Sequence, residues 1–183
     1  MTYKRWILIT IFLFGIGLVL GLATPAGIVG LLSEDVAAFE ELADFLAPLP
    51  QSSVFLFIFI KNVSVVLISF AFSPVFCLMP VLALAINGWL LGLVSTIVIQ
   101  EKSVGYLLTG LLPHGIFELP ALIMGEAVAL SFGTAVILAL FRKERRNLLL
   151  PNLRENLRYL TIALTLFFVA AIIETYLTPL FLG

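Results

Sequence analysis

The sequence predicts an all-α polytopic membrane bundle, and three observations predict it. Apolar residues fill 62% of the 183 positions and charged residues only 11%, against about 25% charged in a soluble domain. Mean hydropathy is +1.19. Several apolar runs reach the ~20 residues that a helix needs to cross hydrocarbon. The length suits one integral domain over 1–183, with no stretch that reads as a linker. No basic patch interleaved with aromatics points to nucleic acid. Cys77 is the single cysteine, so no intrachain disulfide can form and the redox compartment stays open.

Five spans follow in order. The first covers about 6–22, opened by Lys4 and Arg5 and closed by Thr24 and Pro25. A basic start before an apolar run also describes a signal peptide, but this run is longer than a signal core and the following Gly-Leu-Ala-Thr-Pro-Ala is a poor cleavage site. The second span covers about 53–71, with Lys61 and Asn62 inside it. Asn62-Val63-Ser64 fits a glycosylation sequon, yet it lies within the span and is discarded. The third covers about 75–99 and contains Pro80, Asn87 and Gly88.

The stretch from Val104 to Phe141 is too long for one simple crossing. Pro113 suits a first helical turn and Pro120 removes a later helical bond. The expectation is therefore a broken segment around Pro113: a half-embedded helix over about 104–112, then a fourth span over about 119–141. The fifth span covers about 159–182 and carries Glu174.

Basic residues set the orientation. With a cytoplasmic N-terminus, Lys4, Arg5, Arg142, Lys143, Arg145, Arg146, Arg154 and Arg158 all fall inside, eight of the ten Lys and Arg. Glu34, Asp35, Glu40, Glu41, Asp44 and Glu101 then fall outside. Five crossings place the C-terminus outside a cell membrane. The segment over about 33–47 reads as an outer amphipathic helix. Ser33 is its N-cap, Val36, Phe39, Leu42 and Leu46 form its apolar face, and Glu40, Glu41 and Asp44 lie largely opposite. An interface position explains this pattern without a partner. The Arg142–Arg158 segment is likewise explained as a positive-inside anchor near anionic headgroups.

Gly17 with Gly21, and Gly88 with Gly92, form two GxxxG pairs that let helix backbones approach closely. Packing within one subunit suffices to explain them; a homodimer seam is the sharper alternative, and the small subunit adds to the expectation of a homodimer.

Seven polar positions lie at membrane depth: Lys61, Asn62, Asn87, His114, Glu118, Glu126 and Glu174. Ionisable groups there are costly and usually face a bundle interior or a wet cavity. Lys61 and Glu174 each sit about 8 residues below the outer end of their spans, roughly 12 Å at the helical rise. Asn87 is near mid-depth. His114 and Glu118, one helical turn apart, follow an outer loop. These heights predict one intramembrane polar pocket in the outer half, with Thr178, Asn62 and Asn87 as supporting hydrogen-bond groups. Lys61 can neutralise one glutamate, leaving an excess of carboxyl groups. His114, Glu118 and Glu174 form a permissible divalent-metal set. The other readings are a proton or ion pathway and a buried network that fixes helix register. Hydrolysis finds no support, since no nucleophile stands beside a base. The inner halves of the spans look almost free of polar residues, which argues against a continuous transport path.

Asn87-Gly88, the block Pro113-His114-Gly115-Ile116-Phe117-Glu118-Leu119-Pro120, the basic loop near Arg142, and Ile173-Glu174 with Thr178-Pro179 resemble the stage II sporulation protein M family, from about Ser53 onward. The Pro-His-Gly-x-x-Glu block is the distinctive part. The resemblance implies a small multipass membrane protein, not an enzyme and without a cofactor. Members in endospore formers hold together enzymes that degrade peptidoglycan during engulfment. Its expected partners are therefore the lipid bilayer and other membrane or envelope proteins, in a scaffold role. The alternative is a transporter or channel for protons, ions or metals that uses the His/Glu pocket.

Overall fold

The computed structural model describes residues 3–25, 41 and 44–182. The described residues form five helices long and apolar enough to cross a membrane, and no strand. We label them α1 (Tyr3–Leu22), α2 (Gln51–Phe72), α3 (Leu78–Glu101), α4 (Val104–Phe141) and α5 (Leu149–Ile172). A 3-10 turn, Lys143–Leu148, joins α4 to α5. A π-helical turn, Ile173–Leu177, leads from α5 into the short α6 (Thr178–Leu182). Helices are forced by the solvent: in hydrocarbon every backbone N–H and C=O must find its partner inside the chain. Most of the outer surface is apolar. Phe12, Leu20, Phe72 and Phe141 are among the side chains left exposed, as a lipid environment requires. The surface helix expected over 33–47 falls mostly outside the described residues.

Two pairs of parallel helices organise the bundle. α1 and α3 meet through the four glycines. A Cβ on Gly17 would run into the Ala85 carbonyl and one on Gly21 into the Trp89 carbonyl. One on Gly88 would meet the Phe14 carbonyl, and one on Gly92 the Leu18 carbonyl. Residue numbers rise together across this seam, so the helices run the same way. Both glycine pairs are thus used within the subunit, which removes them as an argument for a homodimer. α2 and α4 form the second parallel pair, with Val66 against Gly125 and the Ser73 backbone against Gly133. α5 packs antiparallel along α4, and Ala163, Phe167, Ala170 and Ala171 on it are buried. Tyr3 ties α1 to both: its hydroxyl donates to the Met124 carbonyl at 3.1 Å, and its ring stacks on Tyr159 at 3.8 Å.

Three expectations need correction. First, no break occurs at Pro113: α4 is one helix of 38 residues with Pro113 and Pro120 inside it. Its N-terminus is set by Ser103, whose hydroxyl accepts from the Tyr106 N–H at 3.1 Å. Each proline deletes one backbone bond, and in a packed transmembrane helix that loss is tolerated. At 1.5 Å per residue α4 is about 57 Å long, well beyond a ~30 Å hydrocarbon core. Residues 104–109 are exposed except half-buried Leu107, so the segment expected to be half-embedded is the continuous first part of this helix.

Second, the last helix begins ten residues earlier than the span expected over 159–182, because Leu149 to Arg158 is helical too. Third, the half of the bundle towards Arg142 is not free of polar groups. Ser69, Ser73, Ser131 and Asn156 are buried there. Single serines and asparagines are cheap to place once each has a hydrogen-bond partner, so they do not stand out in a hydropathy profile.

Candidate functional site

Two prolines and one histidine mark the site. α4 carries His114 and, one turn on, Glu118. Its imidazole Nε2 lies 3.7 Å from Glu118 Oε2. Glu174 arrives from the π-helical turn. The sequence explains that turn: Pro179 has no N–H to donate four residues back, and its ring crowds the carbonyl there. The backbone widens instead, and the Thr178 N–H bonds five residues back, to the Ile173 carbonyl. Such single π turns recur at functional sites. Here it helps aim Glu174 at α4.

Thr178 fixes the histidine. Its hydroxyl donates to the Ile173 carbonyl at 3.3 Å. It lies 3.4 Å from His114 Nδ1. A threonine hydroxyl has one hydrogen, and Ile173 takes it. Nδ1 must then carry a proton and donate to Thr178. The neutral ring is left with a bare Nε2 that faces the glutamates. That nitrogen can accept a proton from a carboxyl group or bind a cation.

One nitrogen of His114 and one oxygen each of Glu118 and Glu174 lie within 4.8 Å of one another. All three are half-buried and border a cavity of about 310 Å³. Lys61 from α2, Asn87 from α3 and Phe14 from α1 line it as well, so every span contributes. Asn87 is oriented by its amide, which donates to the Ala83 carbonyl at 2.8 Å. Lys61 shares the cavity without any carboxylate oxygen within the 4.0 Å of an ion pair; among the described residues the one such contact is His114–Glu118. Glu118 contacts the imidazole directly, while Lys61 stands as the nearby cation for both Glu118 and Glu174. An imidazole nitrogen with two carboxylates suits zinc, and a histidine whose second nitrogen is held by a hydrogen bond is the usual form of a metal ligand. The three atoms would have to draw closer to share one ion.

Of the remaining positions, Asn62 is buried on α2 with its side-chain amide beside Glu118, behind the lining of the cavity. Thr178 joins through His114. Glu126 stands apart. It is fully buried, and neither carboxyl oxygen has a hydrogen-bond partner among the described residues. Two parts of the site had no signal in the residue types. The apolar wall of Phe14, Leu90, Leu91 and Val94 reads as ordinary span. The π turn could have been suspected only from Pro179 lying five residues after Glu174.

Residues 7–179 match the stage II sporulation protein M family. The chain belongs to that family. The match spans all five crossings and includes the Pro113–Pro120 block and the Glu174 turn. An uncharacterized protein of Methanocaldococcus jannaschii is 26% identical over 174 residues, which cover 94% of this chain and 93% of that protein. The likeness between the two therefore runs along nearly their whole length. No solved structure matches the chain.

Proposed function

We infer that this sporulation protein M family member is a non-enzymatic scaffold that recruits partner proteins at the membrane. In this reading the N-terminus and the Arg142–Arg158 segment are cytoplasmic, and the C-terminus and the His114 cavity face outward. One observation carries it: part of the cavity wall is apolar and backs onto fully buried side chains. Leu119, Leu122 and Phe14 form part of its wall. Beyond them lie Val66, Leu84, Ala121, Val128 and Phe167, all between 0% and 1% exposed. Transport requires a way out as well as a way in, and this packed apolar layer supports the reading that needs no path. A scaffold needs a rigid outer site and no path. Partners would be envelope or membrane proteins, or a second copy of the chain met through surfaces other than the glycine seam.

The transport reading has one observation in its favour. Glu126 sits eight residues beyond Glu118, about 12 Å further along α4, sealed and without partners. A carboxyl group so placed would be a natural relay. The two readings separate in proteoliposomes assayed for proton, sodium and divalent-metal flux, beside Glu118→Gln and Glu126→Gln. The scaffold reading expects no flux above empty vesicles, and protein partners that co-purify from cross-linked membranes. Flux that either variant abolishes would overturn it.

A further inference from the structure

A second cavity lies at the opposite end of the bundle, among the basic segments. Its volume is about 390 Å³. Trp6 of α1, Ser131 and Thr134 of α4, Arg145 of the 3-10 turn and Asn152 of α5 line it. No carboxylate does.

Its hydrogen-bond inventory is one-sided. The Asn156 amide donates to Asn152 Oδ1 at 2.8 Å. This occupies the Asn152 oxygen and turns its Nδ2 to Ser131, whose Oγ accepts at 3.3 Å. Ser131 is thereby used as an acceptor, and its own hydrogen finds no acceptor among the described residues. The Trp6 indole N–H has none either. Arg145 makes no ion pair among the described residues, although Glu144 is its neighbour. Its other neighbour, Arg146, is committed to the end of α4, donating from Nε to the Ala139 carbonyl at 3.3 Å. The cavity is thus lined by residues that carry a guanidinium, an indole N–H and two hydroxyls, with the Asn152 oxygen accepting from Asn156.

Donors beside an exposed cation with no facing carboxylate are complementary to an anion, and a phosphate oxygen forms the strongest such bonds. The remaining walls, Ala135, Leu138 and Leu148, are apolar. An anion with a greasy extension suits that mixture better than a bare ion does. Basic pockets between transmembrane helices at the cytoplasmic side are where anionic headgroups bind, and a tryptophan at such an interface is well placed. We propose that this cavity binds the phosphate of an anionic phospholipid headgroup, with Arg145, Trp6 and Ser131 as donors and the acyl chain leaving past Leu138 and Leu148. The proposal stands apart from the scaffold reading, since it uses neither the His114 site nor any partner protein.

The test uses the full chain in nanodiscs. Phosphatidylglycerol retention is read by native mass spectrometry, and melting is compared in phosphatidylcholine discs with and without phosphatidylglycerol. Arg145→Gln is expected to weaken retention about ten-fold, the scale of a lost charge-assisted hydrogen bond. Trp6→Phe keeps an aromatic ring but loses the N–H together with the five-membered half of the indole; it and Ser131→Ala are expected to weaken retention several-fold. Arg154→Gln removes an equal charge from the exposed face of α5 and is expected to change retention less than two-fold. Elution as a monodisperse peak checks that each variant folds, and Ser131→Ala is mild enough to carry the test if Arg145→Gln and Trp6→Phe do not. Equal losses for Arg145→Gln and Arg154→Gln would mean diffuse surface charge and would overturn the site. A melting rise from inorganic phosphate alone, in phosphatidylcholine discs, would move the ligand from lipid to solute and overturn the headgroup assignment.

Discussion

The cavity beside His114 and the cavity beside Arg145 share two helices, α1 and α4, and differ in almost everything else. The first gathers an imidazole nitrogen and two carboxyl groups, so it is rich in acceptors. The second gathers a guanidinium, an indole N–H and two hydroxyls, so it is rich in donors. The first is built from groups that change charge with protonation; the second holds its charge on one arginine. The groups of the first suit a cation or a proton, and those of the second suit the anion proposed for it. The same asymmetry appears in the loops, where acidic residues cluster before α2 and basic residues after α4. The difference shows that the bundle keeps its two ends chemically distinct through the packed interior as well as on the surface.

The widest test removes both cavities together. α1 supplies Phe14 to one and Trp6 to the other, and its position rests on the seam with α3. Gly88→Ile would drive a Cβ into the Phe14 backbone, which cannot move aside as a flexible side chain could. The expected loss is more than about 3 kcal/mol, at or above the upper range for overpacking. Thermal unfolding in detergent measures it. An unchanged melting temperature would show that α1 and α3 can part and that neither cavity depends on their contact.

Glu118 gives the next largest effect and probes the acceptor end alone. Glu118→Ala removes the carboxyl group that faces His114 Nε2, leaving that side of the ring unpaired, at a cost of about 1–3 kcal/mol. Glu118→Gln keeps shape and one oxygen, and is expected to cost less than about 1 kcal/mol if the native side chain is a neutral acid. Equal losses for the two would show that the negative charge itself is what His114 and Lys61 require.

How far these two ends could be read from the sequence differs for a physical reason. Lys61, His114, Glu118 and Glu174 stand out because ionisable groups are rare in apolar spans, and matching their depths was enough to group them. Pro113 misled, because a proline inside a helix costs one hydrogen bond and need not end it. The donor-rich cavity was not legible. Ser131, Asn152 and Trp6 are unremarkable singly, and Asn152 lay in what read as a loop until α5 was seen to start at Leu149. The glycine pairs were legible as close contacts, but pattern alone cannot say whether the partner helix belongs to the same chain.

Zinc sharpens the comparison further. Only the His114 end offers imidazole and carboxylate together, so added Zn²⁺ is expected to raise the melting temperature through that end. At a hundred-fold excess over its dissociation constant the gain would be about 2.7 kcal/mol. His114→Ala should remove the rise, and Arg145→Gln should leave it intact. A rise that survives His114→Ala would place the zinc elsewhere.

The last effects come from the groups that orient rather than touch. Thr178 holds His114 Nδ1 at 3.4 Å, and Asn152 supports Ser131 at 3.3 Å. Thr178→Val deletes both partly buried hydrogen bonds of the hydroxyl, to the Ile173 carbonyl and to His114, so its stability cost is about 1–3 kcal/mol. It also frees the imidazole to rotate or to change tautomer, and outer hydrogen-bond partners of this kind are worth about 10–100-fold in metal affinity. Asn152→Ala should cost a similar amount of stability and leave the zinc response untouched, because its contacts run to Ser131 and Asn156 and not to His114. Calorimetric titration of both variants with Zn²⁺ separates orientation from folding. If Thr178→Val binds zinc as tightly as the parent chain, the hydroxyl does not set the ring, and the assignment of the proton to Nδ1 is wrong.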